Sequence, residues 1–395
     1  MNQRQFFLQH IGQTTRKPLL LHIEKAENIY LFSTDGKRYI DLCSGVSVSN
    51  LGHSHPKVIN AIKEQVERYT HLMVYGEFIE TPQILYAQLL IKNLPKSLNS
   101  VYFVNSGSEA IEGAIKLAKR FTGRTEIVSF WNAYHGSTHG ALSILGDLNF
   151  TRAFRPLLPD IRRLSFGVMQ DLEQISEKTA AVVIEPIQAE AGVVIPTKEY
   201  MQALRQRCND LGCLLIFDEV QTGFGRTGTL WAFEHFDVVP DILVIAKAAG
   251  GGMPLGAFIS DKKIMDTLSY NPALGHITTF GGHPVSCAAG KTALQVILEQ
   301  KLIEQAQNKG ELFIKLLKHH PKIKSIHGIG LLLAVRLENQ DYLTRFMDKL
   351  LDNGLVTDVF LFARDSFRIG PPLIITEKQI QEIANIILKT LDQVD

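Results

Sequence analysis

No Cys-x-x-C pair occurs in this chain. Its four cysteines, Cys43, Cys208, Cys213 and Cys287, fit reduced thiols better than a disulfide framework. No uninterrupted apolar run approaches the roughly 18 residues that a membrane span needs, although 45% of the residues are hydrophobic. Neither sign of charge is in excess, with 41 Lys and Arg against 40 Asp and Glu. That balance argues against nucleic acid or an acidic membrane surface as partners. The stretch from Met1 to His10 lacks a basic region followed by an apolar one, so no signal peptide is read there and a cytoplasmic location is expected. Internal repeats, low-complexity tracts and long linkers are also missing. The 395 residues can bury a large core, and the length suggests two or three domain-sized units.

Short apolar runs alternate with amphipathic segments, which predicts an α/β architecture with a mostly parallel sheet. Strands are expected at 101–104, 126–130, 180–184, 214–217 and 242–245. A helix from Glu109 to Arg120 would bury Ala110, Ile111, Ala114, Ile115 and Ala118 on one face. A second helix, Tyr200 to Leu211, would be closed by Gly212. Hairpins are predicted at 28–41, turning at Asp35-Gly36, and at 325–335. The expected organisation is an N-terminal segment, 1–45, joining a small C-terminal domain, 284–395, with a large domain over 46–283.

Two of the strands deliver charge at their carboxyl ends, where ligands bind in open α/β sheets. One ends in Asp218 and the other is followed by Lys247. A lysine and an aspartate converging there suit pyridoxal phosphate: the lysine holds the cofactor as a Schiff base, and the aspartate pairs with its protonated ring nitrogen. Alone, Asp218 is often a helix cap or loop ligand, and Lys247 is most often a solvated charge. Gly223-Phe-Gly-Arg-Thr-Gly228 matches the dinucleotide pattern G-x-G-x-x-G, but the acidic residue required about 20 positions later is replaced by a strand leading to Lys247. The nicotinamide reading fails.

Other segments supply the remaining parts of such a site. Ser106-Gly107-Ser108, between a strand and a helix, offers backbone N–H groups and hydroxyls to a phosphate at the positive end of the helix dipole. Ser108 could instead be an ordinary N-cap. Tyr134 is the candidate ring-stacking residue, unless it and Trp131 are core aromatics. His135 and His139, like His53 and His55, do not form a convincing metal pair. Glu185 and Glu190 follow a strand and turn at Pro186, bringing two carboxylates to the same edge; Glu190 is either a gate or a solvated charge. Arg368, before Pro371-Pro372, is either a bidentate clamp for a substrate carboxylate or a surface salt bridge.

Taken in order, the motifs resemble the class III, or ornithine/acetylornithine-type, aminotransferases of pyridoxal-phosphate fold type I. They are Gly52-His-Ser-His-Pro56, Asn105-Ser-Gly-Ser-Glu-Ala110, Glu185-Pro-Ile-Gln188 and Asp218 through Gly228, followed by Ala246-Lys247 with Gly250-Gly-Gly-Met-Pro254, and Thr279-Phe-Gly-Gly-His-Pro284. The resemblance implies a seven-stranded, mostly parallel sheet, and it implies roles. Lys247 is the Schiff-base and proton-shuttling residue, and Asp218 keeps the ring nitrogen protonated. Gln221 reaches the phenolic oxygen, Val220 packs under the ring and Tyr134 above it, and Gly107 and Ser108 hold the phosphate. Ser106, His135 and Glu185 complete the expected cofactor-binding set. Thr279 would reach the phosphate of a neighbouring subunit, which implies a homodimer. Glu190 would pair with Arg368 and swing away to admit the α-carboxylate of glutamate or 2-oxoglutarate.

The implied reaction is ping-pong transfer of an amino group, expected to be the ω-amino group of an ornithine-like amino acid or related amine, to 2-oxoglutarate. An aminomutase, racemase or decarboxylase would share the same lysine and aspartate. Ornithine- and acetylornithine-specific members usually follow the aromatic-His-Gly motif with arginine, which grips the donor's carboxylate. Here Ser137 stands in that substrate-side position, and Arg152, Arg155 and Arg162 are the cations available to replace it. Ser108 stands where Thr is more usual, and Ala189 where many members have Gly.

Overall fold

A computed structural model describes residues 2–394. The buried runs noted above supply five of the seven strands of its central sheet, which follow an N-terminal meander. That meander consists of β1 (Ile23–Glu27), β2 (Tyr30–Ser33) and β3 (Arg38–Asp41). The predicted hairpin is β2–β3, with Gly36 taking a positive φ of 82° at its turn; β1 extends it by one strand.

The central sheet contains β4 (Ser100–Val104), β5 (Glu126–Phe130), β6 (Ile161–Leu164), β7 (Thr179–Ile184), β8 (Leu214–Asp218), β9 (Ile242–Ile245) and β10 (Gly256–Ser260). Its seven strands lie in the order β4-β10-β9-β8-β7-β5-β6, and only β10 runs against the rest. Successive residues feed opposite faces. Val182, Ile184, Leu215 and Phe217 join one apolar cluster, while Ala181, Val183, Leu214 and Ile216 join another. Burial on both faces explains why these strands read as continuous apolar runs rather than alternating ones.

The helix Gly107–Thr122 covers one face, burying Ala110, Ile111, Ala114, Ile115 and Ala118 as expected. Helix Lys198–Leu211 ends at Gly212 in the left-handed conformation, and Pro56 opens helix Pro56–Arg68.

Beyond the sheet lie β11 (Ser325–Ile329), β12 (Leu332–Arg336), β13 (Leu355–Val356) and β14 (Ser366–Ile369). The predicted hairpin is β11–β12, and β14 pairs with β12 to make a three-stranded sheet. Strand β13 instead pairs in parallel with β3, joining distant parts of the chain in one four-stranded sheet.

Candidate active site

Because β4, β5, β7, β8 and β9 point the same way, the segments leaving their carboxyl ends meet at one sheet edge. A cavity of about 360 Å³ opens there, within the range of small-molecule sites. Its lining includes Ser106, Gly107, Ser108, Tyr134, His135, Glu185, Asp218, Val220, Gln221 and Lys247.

Lys247 adopts a positive φ of 52° two residues after β9, and its Nζ donates to Gln221 Oε1 at 3.3 Å. Burial lowers the pKa of its ammonium, opposed by the nearby carboxylates of Glu190, Asp218 and Glu185. Asp218, at the end of β8, uses both oxygens: Oδ1 accepts the Val220 N–H at 3.0 Å, and Oδ2 lies 2.8 Å from His135 Nδ1. Burial, and then the charge of Asp218, pushes the Glu185 carboxyl well above its ordinary pKa. Glu185 accepts the Tyr134 and Ala189 N–H groups at 3.2 and 3.3 Å.

The strand-to-helix turn differs in one detail from expectation. The helix begins at Gly107, and Ser106 is the N-cap, its Oγ accepting the Glu109 N–H at 3.2 Å. Ser108 is therefore free of capping, and its Oγ accepts the Ser137 N–H at 3.2 Å. Gly136 has a φ of 125°, and a Cβ there would stand 2.1 Å from Ser108 Oγ. Tyr134 is half-buried on the cavity wall and Trp131 is exposed, so neither is a core aromatic. His139 bonds to the Pro156 carbonyl at 2.7 Å and does not join His135.

Arg368 is only 1% exposed, so it is no surface salt bridge. Its Nη2 donates to Glu190 Oε1 at 2.7 Å and its Nε to Asp358 Oδ1 at 2.8 Å. Burial works against its charge, but Glu190 and Asp358 outweigh that effect and raise its pKa. Glu190 is likewise buried rather than solvated. Asp358 had no signal in the sequence, being one acidic residue in a loop ten positions before Arg368.

Glu190, Arg368, Thr279 and Ser137 are outside the cavity lining, although Ser137 touches the lining residue Ser108. Thr279 is exposed and outside the cavity lining. Ser137 is exposed, with its Oγ 3.2 Å from the Tyr134 hydroxyl. None of the three arginines replaces the missing cation: Arg152 and Arg155 are exposed away from this cavity, and Arg162 pairs with Glu126 at 3.1 Å. Lys247 is the one cation in the cavity lining among the described residues. The Gly223–Gly228 turn serves packing. It buries Arg226, which donates to the Leu331 carbonyl at 3.1 Å, to the Pro371 carbonyl and to Asn50 Oδ1. The glycine pattern hid that residue's role.

The cavity fits pyridoxal phosphate in a way composition alone could not test. Gln221 Nε2 and His135 Nε2 are buried without partners, a side chain at Gly107 would press on Val220 at 3.0 Å, and one at Gly136 would press on Ser108 at 2.1 Å. Fold and site together define a pyridoxal-phosphate-dependent enzyme. A model of the class-III aminotransferases matches residues 11–391, and the chain belongs to that family. It is 40% identical to acetylornithine aminotransferase of Methanopyrus kandleri over 377 residues, 94% of each chain. It is 35% identical to the LysW-aminoadipate semialdehyde/glutamate semialdehyde transaminase of Sulfolobus acidocaldarius, over 95% of this chain and 96% of that one. An ornithine aminotransferase structure from Toxoplasma gondii superposes with a TM-score of 0.91 at 30% identity, over 98% of this chain and 93% of the other. The protein is a pyridoxal-phosphate-dependent transaminase.

Proposed function

We propose that the enzyme moves the ω-amino group of an ornithine-like amino acid or related amine to 2-oxoglutarate in two half-reactions. The observation that carries this reading is the buried Glu190–Arg368 pair, close enough to act on the charge of Lys247. One substrate carboxylate would displace Glu190 and take Arg368 bidentately.

Each residue around the cavity has a part in this reading. Pyridoxal phosphate supplies the electron sink that makes the substrate's C–H bond acidic. Lys247, its ammonium destabilised by burial, is suited to lose its proton and then carry one to and from the substrate carbon. Asp218, held by His135 and Val220, would pair with the ring nitrogen. Gln221, through its unpartnered Nε2, would reach the phenolic oxygen. Ser106, Gly107 and Ser108 would hold the phosphate, with Tyr134 and Val220 on either side of the ring. Glu185, its carboxyl pushed toward the neutral form, would avoid adding a second charge beside Asp218.

With Ser137 in place of an arginine and no cation but Lys247 in the lining, the donor is read as an amine whose far end needs no bidentate clamp. Strict acetylornithine specificity does not suit that arrangement.

The active unit is proposed to be a homodimer. Leu72, Met73, Phe78 and Ile79 are exposed, as are Leu274, Ile277 and Phe280 beside Thr279. The His71 and Phe280 rings, 4.8 Å apart, join the two groups into one apolar surface. A second copy of the chain would cover it and bring Thr279 to the neighbouring phosphate. A cytoplasmic location accords with four free cysteines. The division into 1–45, 46–283 and 284–395 is kept as a proposal, supported by the β3–β13 pairing between the two outer segments.

The test is a single-turnover panel on cofactor-loaded protein without acceptor, using glutamate, ornithine, N-acetylornithine, 4-aminobutyrate, lysine and simple diamines. Glutamate and one ω-amine should bleach the visible band, and 2-oxoglutarate should restore it. Product formed without any oxo acid would replace this reading with mutase, racemase or decarboxylase chemistry.

A further inference from the structure

We infer that Asp358 is a positioning residue that sets the plane of the Arg368 guanidinium for carboxylate recognition. This rests on the reading of Arg368 as the substrate's carboxylate site. The two acidic partners of Arg368 are unlike in attachment. Glu190 comes from the loop after β7 and holds Nη2, while Asp358 lies in the segment joining β13 to β14 and holds Nε.

Both acids are tied to this loop, since Glu190 Oε2 accepts the Leu361 N–H at 3.2 Å and the Glu190 carbonyl accepts the Phe362 N–H at 3.0 Å. Only Asp358 is tied to the backbone of Arg368 itself. The Arg368 N–H donates to the Asp358 carbonyl at 3.0 Å, and the Thr357 hydroxyl donates to the Arg368 carbonyl at 2.5 Å. Between them Val359 bridges Phe367. The Phe360 ring also covers the guanidinium, 4.4 Å from its central carbon. Edge and face are both held, so rotation is blocked.

The remaining edge is where a ligand fits. Arg368 Nη1 is buried without a partner. Departure of Glu190 frees Nη2, so Nη1 and Nη2 together present the fork that matches a carboxylate's two oxygens. Asp358 meanwhile keeps one negative charge on the buried guanidinium throughout the exchange, which limits the cost of opening the Glu190 contact. The entering group must bring the second charge, so the edge favours a carboxylate over a neutral amide or ester.

The experiment measures calorimetric binding of glutarate, which has no amino or oxo group to react, to the cofactor-loaded enzyme. Wild type is compared with Asp358→Ala, Asp358→Asn and Arg368→Ala, together with KM and kcat for 2-oxoglutarate. Asp358→Ala should weaken glutarate binding and raise KM by about tenfold or more, the scale of one lost charge-assisted hydrogen bond. The loss should fall on KM rather than kcat. Asp358→Asn, which can still accept from Nε, should recover most of the affinity. Unchanged glutarate affinity in Asp358→Ala overturns the proposal, as does an Asn variant no better than Ala. Glutarate binding indifferent to Arg368→Ala would instead remove the underlying reading of Arg368.

Discussion

His135 Nδ1 lies 2.8 Å from Asp218 Oδ2, and both side chains are buried at the floor of the cavity. The histidine therefore orients the carboxylate expected to face the cofactor's ring nitrogen. Its other nitrogen has no partner, so this single contact defines its position.

Replacing His135 with Leu should leave Asp218 Oδ2 without that contact and cost about 1.5–3 kcal/mol of cofactor binding, the usual worth of a hydrogen bond to a charged group. A fluorescence titration of the apo form with pyridoxal phosphate measures it. An unchanged dissociation constant would show that Val220 alone suffices to hold Asp218.

Gly136→Ala should weaken cofactor binding with little change in the unfolding midpoint of the apo form. The added methyl would meet Ser108 Oγ at 2.1 Å from a backbone with φ near 125°. Strain of this kind costs about 1–3 kcal/mol, and the Ser106–Ser108 turn would shift to relieve it. Equilibrium dialysis against pyridoxal phosphate, beside apo denaturation, separates the two effects.

Arg226→Met should destabilise the fold by about 3 kcal/mol or more, since Asn50 Oδ1 and the Leu331 and Pro371 carbonyls all lose a buried donor. Guanidinium chloride denaturation followed by far-UV circular dichroism measures the loss. A midpoint within error of wild type would mean that water or neighbouring donors replace the arginine.

Glu219 gives a prediction in pH. Burial pushes its carboxyl up to about 7, opposed by bonds from Thr222 and Phe233. The folded state therefore binds this proton more tightly than the unfolded one. The contribution of Glu219 to stability should be fully present below the ordinary carboxylate range and be lost as pH rises from about 4.5 to about 7, by on the order of 3 kcal/mol. In Glu219→Gln that part of the slope should vanish. Denaturation midpoints at several pH values across the window supply the comparison, and parallel slopes in the two proteins would refute the assignment.

What could be read in advance divides along physical lines. β7, β8 and β9 are buried on both faces, so their apolar runs marked them, and the residues after them could be placed at one sheet edge. β6 escaped notice because Ile161-Arg-Arg-Leu164 lies at the sheet margin, where Arg162 can remain exposed on Glu126. β10 was missed as well, and the reversal of direction it introduces has no local signature. The Asp218–His135 contact joins residues 83 apart, and no spacing rule reaches that far. Asp218 was legible because it ends an apolar strand, and Lys247 because it stands two residues beyond one. Asp358 was not, because its significance comes only from folding back onto Arg368. Arg226 was visible but misleading, since the glycines around it imitate a nucleotide loop while serving to bury a guanidinium.

The parallel pairing of β13 with β3 has a consequence for how the protein is made. Ile40 leaves the ribosome roughly 300 residues before its partner Leu355. At about 5–20 residues per second, that interval lasts about a quarter of a minute to a minute. During it, the nascent chain carries β3 with one edge open, the kind of edge that recruits stray strands. Slow synthesis would lengthen that exposure, so yield of soluble enzyme should depend on translation speed and on chaperones that shelter the amino-terminal meander.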